Sequence, residues 1–306
     1  MTDLSSSSGL LEACWRFVVL GVLQGLTEFL PISSTAHLKA IPVLMGWGDP
    51  GVSVTAVLQL GSIVAVVAYF WSDLAGVLKG ISQAFRIGNW RGSDARLGLA
   101  IALGTAPIVI AGMAIRLFWQ GYEESPLRSI PSIAVVSIVM AALLALAEWI
   151  GPRWKQLPAV QARDGLLVGL AQALSLIPGV SRSGSTLTAA LFDGWRHEDA
   201  ARFSFLLGIP AITLAGLLEL KSAFAVPTAV GILPLLVGII SAAAVSWLAI
   251  DWLLNVARPE PLASAGQVRI ARRLRHYTEA WRVLVCICQV VKRGHVVGRP
   301  VRLPRR

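Results

Sequence analysis

Runs of about 20 apolar residues, the length a helix needs to cross a hydrocarbon core, recur along the 306-residue chain at about 52–71, 97–119, 131–150, 203–219 and 228–254. Two further stretches, 15–48 and 165–194, begin apolar and are then broken by Pro, Gly and clustered hydroxyl residues. Broken segments survive at membrane depth only where they pack inside protein or line a cavity. The pattern predicts an all-α, polytopic membrane protein with one transmembrane domain over residues 1–255.

Composition agrees. The chain is 55% hydrophobic and 14% charged, against about 25% charged in a soluble domain. Residues 258–306 hold 12 Lys and Arg against two Glu, which accounts for the whole net charge of +10. Residues 1–257 are balanced at 15 basic and 15 acidic. The neutral body argues against a nucleic-acid partner, and residues 256–306 read as a basic tail beside anionic membrane lipid. Three cysteines (Cys14, Cys286, Cys288) make neither a disulfide framework nor a metal quartet. No basic stretch or A-x-A site marks a removable signal peptide.

The Lys and Arg content of short loops predicts orientation. Loop 72–96 carries Lys79, Arg86, Arg91 and Arg96, and loop 151–164 carries Arg153, Lys155 and Arg163. Loops 120–130 and 220–227 carry one each, Arg128 and Lys221. The first pair reads as cytoplasmic and the second as external. An internal similarity adds to this. VLQGLTEFLPISST from Val22 and LAQALSLIPGVSRSGST from Leu170 share a Gln, then Pro, then hydroxyls, and Pro31/Pro178, Ser34/Ser181 and Gly61/Gly208 are each 147 residues apart. With the predicted orientation, the halves at about 10–119 and 157–255 form an inverted repeat. Each half then contains transmembrane helices and one re-entrant helical hairpin, with a polar site where the hairpin tips meet.

The first motif is QGLTEFLPISSTAH, Gln24–His37. Gln24 and Glu28 are four apart and share a helix face. A carboxylate in an apolar stretch needs a cation, a metal or water, which makes Glu28 both a catalytic candidate and the candidate metal ligand. Ser33, Ser34 and Thr35 form a hydroxyl-rich turn, and His37 can exchange a proton near neutral pH. The second motif is PGVSRSGST, Pro178–Thr186. Gly179 and Gly184 bracket Ser181, Arg182 and Ser183, a turn whose amides can hold an anion, and the Arg182 fork matches phosphate oxygens. Together these groups suit phosphoryl transfer, which is mainly positioning and charge stabilisation.

These two motifs, in this order and separation, resemble those of the undecaprenyl-diphosphatases of the bacitracin-resistance family. LQLGSIVAVV and RFSFLLGIPA match as well, and the likeness spans about residues 10–255. The resemblance implies hydrolysis of undecaprenyl diphosphate on the periplasmic side of the bacterial inner membrane, recycling the lipid carrier of cell-wall synthesis, with a divalent cation, Mg2+ or Ca2+, as cofactor. By motif, Glu28, Ser34, His37 and Arg182 take catalytic positions. Ser34 is a proposed nucleophile, Arg182 binds phosphate, and His37 is an acid/base or a nucleophile. Gln24 completes the family's E/Q-x-x-x-E pair, and Ser33, Thr35, Ser181, Ser183 and Thr186 fill polar positions around the phosphates. Two departures stand out. The family usually has an acidic residue near the position here held by Thr55, and the region after residue 255 is Arg-rich where the family has a further hydrophobic helix; its longest apolar run, VLVCICQVV at 283–291, is too short to cross a bilayer.

Other readings of the same residues are plain. Ser34 could be a helix cap, Arg182 a structural bridge to Glu28, and His37 a satisfied structural histidine. His197 reads as a solvated interfacial residue, Glu148 and Glu219 as facing headgroups or water, and the 11 Trp mostly as interfacial anchors. A polyprenyl-phosphate flippase shares the inverted-repeat signature, but needs no nucleophile. A lipid-binding scaffold needs no buried Glu28. Self-association into a homo-oligomer is left open by the sequence.

Overall fold

The computed structural model describes residues 7–122, 125–223 and 231–257. They form ten α-helices: α1 Ser7–Phe29, α2 Ser34–Leu44, α3 Gly51–Tyr69, α4 Trp71–Ile87, α5 Ser93–Phe118, α6 Ile130–Ile150, α7 Ala162–Ala173, α8 Arg182–Phe192, α9 His197–Ala223 and α10 Ile232–Ala257. No strand occurs among the described residues beyond one isolated bridge, Lys155 to Trp195. Six helices, α1, α3, α5, α6, α9 and α10, are long and apolar enough to cross a membrane. Their outward faces carry large apolar side chains such as Val135 (61% exposed) and Trp149 (85%). Patches of this size on a soluble monomer would be unstable in water. The chain is a multi-pass membrane protein.

Small residues fix which helices touch. Gly21 of α1 lies against Gly238 and Ala242 of α10, and Gly25 against Ala242 and Ser246. Contacts rise together in both helices, so α1 and α10 run parallel. Gly165 of α7 likewise meets Ala100 of α5, and Gly169 meets Gly104. Both are glycine pairs four apart, and they let backbones approach closely, as apolar spans require when packing replaces hydrophobic drive. Ser62 and Tyr69 of α3 reach Ser246 and Asp251 of α10, so α3 also runs parallel to α10. Phe70 meets Phe205 while Ile63 lies beside Gly216, which makes α3 and α9 antiparallel. Since α1 and α3 run the same way, the chain must return between them, and α2 is the return.

The stretch 72–96, expected to be a connecting loop, contains the amphipathic helix α4. Its Gly76 and Gly80 pack on Asp94 at the start of α5, and Asp73 takes a bidentate contact from Arg202 of α9 at 2.7 and 2.9 Å. Trp195 departs from the expected anchoring role of tryptophans. It is fully buried and stacks on Phe203 at 5.0 Å between centroids. Glu148 and His197 also differ from expectation. They bond to each other, Nε2 to Oε2, at 2.5 Å, and Arg153 adds a contact to Glu148 at 3.1 Å. Arg153 donates further to the carbonyls of Ala147 and Glu148 and so caps the C-terminus of α6. The basic stretch 272–293 and the side chain of Glu219 lie outside the described residues.

A buried clasp holds the base of the α7–α8 pair. Lys155 donates to Asp164 at 2.8 Å and to Asp193 at 2.5 Å, and its ammonium lies 5.5 Å from the Trp195 ring centroid. The lysine side chain is 4% exposed and that of Asp164 is 1% exposed. Removing one partner of such a group strands buried charge, at about 3–5 kcal/mol. Lys155→Met should therefore unfold in detergent at a clearly lower temperature than wild type. Thermal unfolding followed by circular dichroism measures this, and an unchanged midpoint would show that the clasp is dispensable.

Candidate functional site

The two motifs meet at the tips of the α1–α2 and α7–α8 pairs. Pro31 follows α1, and the chain turns through Ser33, whose φ of 67° is a left-handed conformation uncommon for a residue with a side chain. On the other tip, Gly179 has φ 97°, and a Cβ there would stand 2.6 Å from the Ile133 carbonyl oxygen of α6. The tips are joined by Ser183, whose hydroxyl donates to the carbonyls of Leu30 at 3.1 Å and Glu28 at 3.4 Å. These are carbonyls that the end of α1 leaves without helical partners.

Glu28 is the centre of the cluster and is 8% exposed. Its Oε2 accepts from the Ser34 hydroxyl at 3.0 Å and from Gln24 Nε2 at 3.2 Å. Its Oε1 lies 3.5 Å from Arg182 Nη2. The Gln24–Glu28 spacing thus acts as the helix face predicts. At 3.5 Å the arginine contact is near the outer limit of a hydrogen bond. Arg182 Nε and Nη1 are buried without a partner among the described residues. A guanidinium held this loosely keeps most of its fork for another acceptor.

His37 lies three residues after Ser34 on α2 and is 4% exposed. Its Nδ1 is 2.9 Å from the Ser33 carbonyl oxygen. A carbonyl only accepts, so Nδ1 carries the proton. In the neutral ring Nε2 then holds the lone pair, and this atom is buried with no partner among the described residues. His37, Ser33, Ser181 and Gly184 line one cleft, walled by Ser137, Met140, Ala141 and Leu144 of α6.

The remaining motif residues have other duties. Ser181 caps α8, accepting from the Gly184 amide at 3.2 Å, and lies 3.2 Å from the Ser183 hydroxyl. Thr186 is fully buried, bonds to the Arg182 carbonyl at 2.9 Å and to Ser204 at 2.5 Å, and ties α8 to α9. Thr35 is exposed on α2. Thr55 donates to the carbonyl of Val52 in its own first turn at 2.8 Å and adds nothing to the Glu28 cluster.

Two residues escaped the sequence reading. Ser62 of α3 accepts from Gln24 at 3.4 Å, and Ser246 of α10 donates to Ser62 at 2.9 Å; both are fully buried. They orient the Gln24 amide with its N–H groups toward Glu28. No motif marks them, since a lone serine in an apolar helix carries no sequence signal; only the pairing of α1, α3 and α10 brings them together. The expected divalent cation can be set against this donor set. Glu28 is the one carboxylate here, and no cluster of three His, Cys, Asp or Glu occurs among the described residues. The set fits a hard cation that takes one or two protein carboxylates and completes its shell with water and phosphate oxygens.

Replacing Ser62 by Ala removes one neutral hydrogen bond from the Gln24 amide, worth about 0.5–1.5 kcal/mol. Any activity that depends on Glu28 should fall about threefold to tenfold, with a modest drop in unfolding temperature because the buried Ser246 hydroxyl also loses its acceptor. A rate equal to wild type would detach Ser62 from the site.

Comparisons with known proteins identify the family. The family model for bacitracin resistance protein BacA matches residues 17–271. A protein of Prochlorococcus marinus (strain MIT 9303) named undecaprenyl-diphosphatase is 75% identical over 255 residues, covering 83% of this chain and 87% of the relative. Proteins of the same name from Synechococcus sp. (strain WH7803) and Synechococcus sp. (strain RCC307) are 74% and 70% identical, each covering 83% of this chain and 89% and 88% of their own lengths. With most of its length matched at this level, the chain belongs to the bacitracin resistance protein BacA family.

Proposed function

We propose that this chain hydrolyses undecaprenyl diphosphate to undecaprenyl phosphate and inorganic phosphate, returning the lipid carrier to peptidoglycan synthesis and so conferring bacitracin resistance. The observation that carries the reading is Arg182. A buried guanidinium with two unpartnered donor atoms stands beside a carboxylate that already accepts from a serine hydroxyl. Unsatisfied buried donors are costly, and a phosphate oxygen is the acceptor they fit.

The residues divide the work as follows. Arg182 holds oxygens of the terminal phosphate and steadies the charge that spreads over them in the transition state. Ser34 is the attacking oxygen. Its O–H donates to Glu28, the geometry of a nucleophile with its proton acceptor in place. Attack on the terminal phosphorus breaks its bond to the bridging oxygen, and the lipid monophosphate leaves with that oxygen. A water then cleaves the phosphoserine, its proton taken by Nε2 of His37, which the Ser33 carbonyl holds in the required tautomer. A divalent cation, Mg2+ or Ca2+, would be held by Glu28 with the substrate's own phosphate oxygens, and it supplies further charge neutralisation when bound.

The isoprenyl tail requires a site open to the bilayer. The cleft at His37 is walled by α6, which exposes apolar side chains along its length. The cleft meets α6 at its middle, from Ser137 to Leu144. Lys39 of α2 donates to the Arg128 carbonyl of loop 120–130, a segment with a single basic residue, at 3.0 Å, which supports a site facing the periplasm of a bacterial inner membrane. Parallel α1, α3 and α10, with α9 antiparallel to α3, are what two inverted halves with re-entrant tips would produce.

Phosphate release from C55 diphosphate in detergent with Mg2+ tests the proposal. Wild type should turn over, Glu28→Ala and Arg182→Ala should each lose at least about 100-fold, the worth of a positioned charge contact, and chelation should abolish turnover. Ser34→Ala should prevent an acid-stable phosphoenzyme that His37→Ala still forms. An acid-labile adduct that survives in Ser34→Ala would transfer the nucleophile to His37. No release by wild type would sink the proposal.

A further inference from the structure

Gly208 lies on α9 against Arg182. A Cβ built there would stand 1.7 Å from Nη1, 2.6 Å from Cζ and 3.3 Å from Nη2 of Arg182. All three nearest atoms belong to that one guanidinium. Two other tightly packed glycines, Gly61 and Gly169, differ. At Gly61 the nearest atom is the Ile239 carbonyl oxygen at 2.3 Å, and at Gly169 it is that of Gly104 at 2.2 Å. Those glycines admit a neighbouring backbone, so a side chain there would push helices apart. At Gly208 the space is taken by the far end of a flexible side chain, which can leave without disturbing a helix.

We infer that Gly208 is a positioning residue whose bare Cα seats the Arg182 guanidinium beside Glu28 and sets where the phosphate-binding fork points. The inference rests on the reading of Arg182 given above. With a methyl at 208 the guanidinium must retreat by roughly 1.5–2 Å to regain ordinary contact distance. Its hold on the acid is the 3.5 Å contact to Glu28, too weak to resist that overlap. The helices keep their places while the fork loses its aim.

The experiment uses the full chain in detergent with Gly208→Ala, Gly61→Ala, Arg182→Lys and the Gly208→Ala/Arg182→Lys double variant. Gly208→Ala should keep the wild-type unfolding temperature and lose roughly 100-fold in kcat/KM, the cost of about an ångström of misplacement. Gly61→Ala should lose stability. A lysine ammonium in place of the guanidinium is smaller and does not need the seat, so adding Gly208→Ala to Arg182→Lys should cost only a few-fold. Inorganic pyrophosphate should raise the unfolding temperature of wild type and not of Gly208→Ala. Wild-type activity in Gly208→Ala, a loss that tracks lost stability, a full additive loss in the double variant, or equal pyrophosphate stabilisation of both proteins would each overturn the inference. Wild type that binds pyrophosphate without hydrolysing C55 diphosphate would overturn the proposed reaction and leave the seat standing.

Discussion

The contact between Glu28 and Arg182 is the constraint around which the rest is arranged. Either charge alone at membrane depth is expensive, and each needs the other near. Neither comes from a continuous helix. The acid ends α1 and the arginine begins α8, so the pair exists only where two chain breaks coincide. The Ser183 hydroxyl, bonded to the carbonyls of Glu28 in the last turn of α1 and of Leu30 just after it, fixes that coincidence with neutral bonds. The charges themselves stay loosely coupled at 3.5 Å. A tighter bidentate pair would be better satisfied and less able to take up a phosphate. The tips are thus held together by groups other than those that do the chemistry.

The surrounding helices serve that placement. Parallel α1, α3 and α10 approach closely enough through Gly21, Gly25 and Gly61 for Ser62 and Ser246 to reach Gln24. Parallel α5 and α7 do the same for the second tip through Gly165 and Gly169. The Lys155 clasp anchors the far end of α7 and α8. A displacement at the clasp would be carried along α8 to Arg182, its first residue.

Much of this was legible in the sequence because apolar length, broken segments and a buried Gln-x-x-x-Glu pair each have one dominant physical meaning. The long spans and the meeting of Glu28 with Arg182 were readable for that reason. What was not readable depended on partners remote in the chain. The stretch 72–96 looked like a loop because four basic residues hide an amphipathic helix whose partner is α5. His197 and Glu148 looked solvated because nothing in sequence shows them facing each other. Trp195 looked like an interfacial anchor because the stacking of Phe203 on it is tertiary. Thr186 sits among the phosphate-facing hydroxyls in the motif, yet its position on α8 turns it toward Ser204. A motif lists neighbours along the chain, and on a helix these point to different faces.

The paired motifs also differ where it matters. Gly61 and Gly208 share a register, yet one admits a backbone and the other a guanidinium. Gln24 bonds to Glu28 and Ser62, whereas its counterpart Gln172 is fully buried with neither amide atom partnered among the described residues. The first tip offers an acid, a hydroxyl and an imidazole, and the second offers a cation and a capped helix start. A site built of two equal tips would place like charges together, at a cost that rises as water is excluded. Opposite charge on two similar scaffolds solves that problem. Even at a shared position the two tips differ, for Ser34 bonds to the Glu28 carboxylate whereas Ser181 caps a helix.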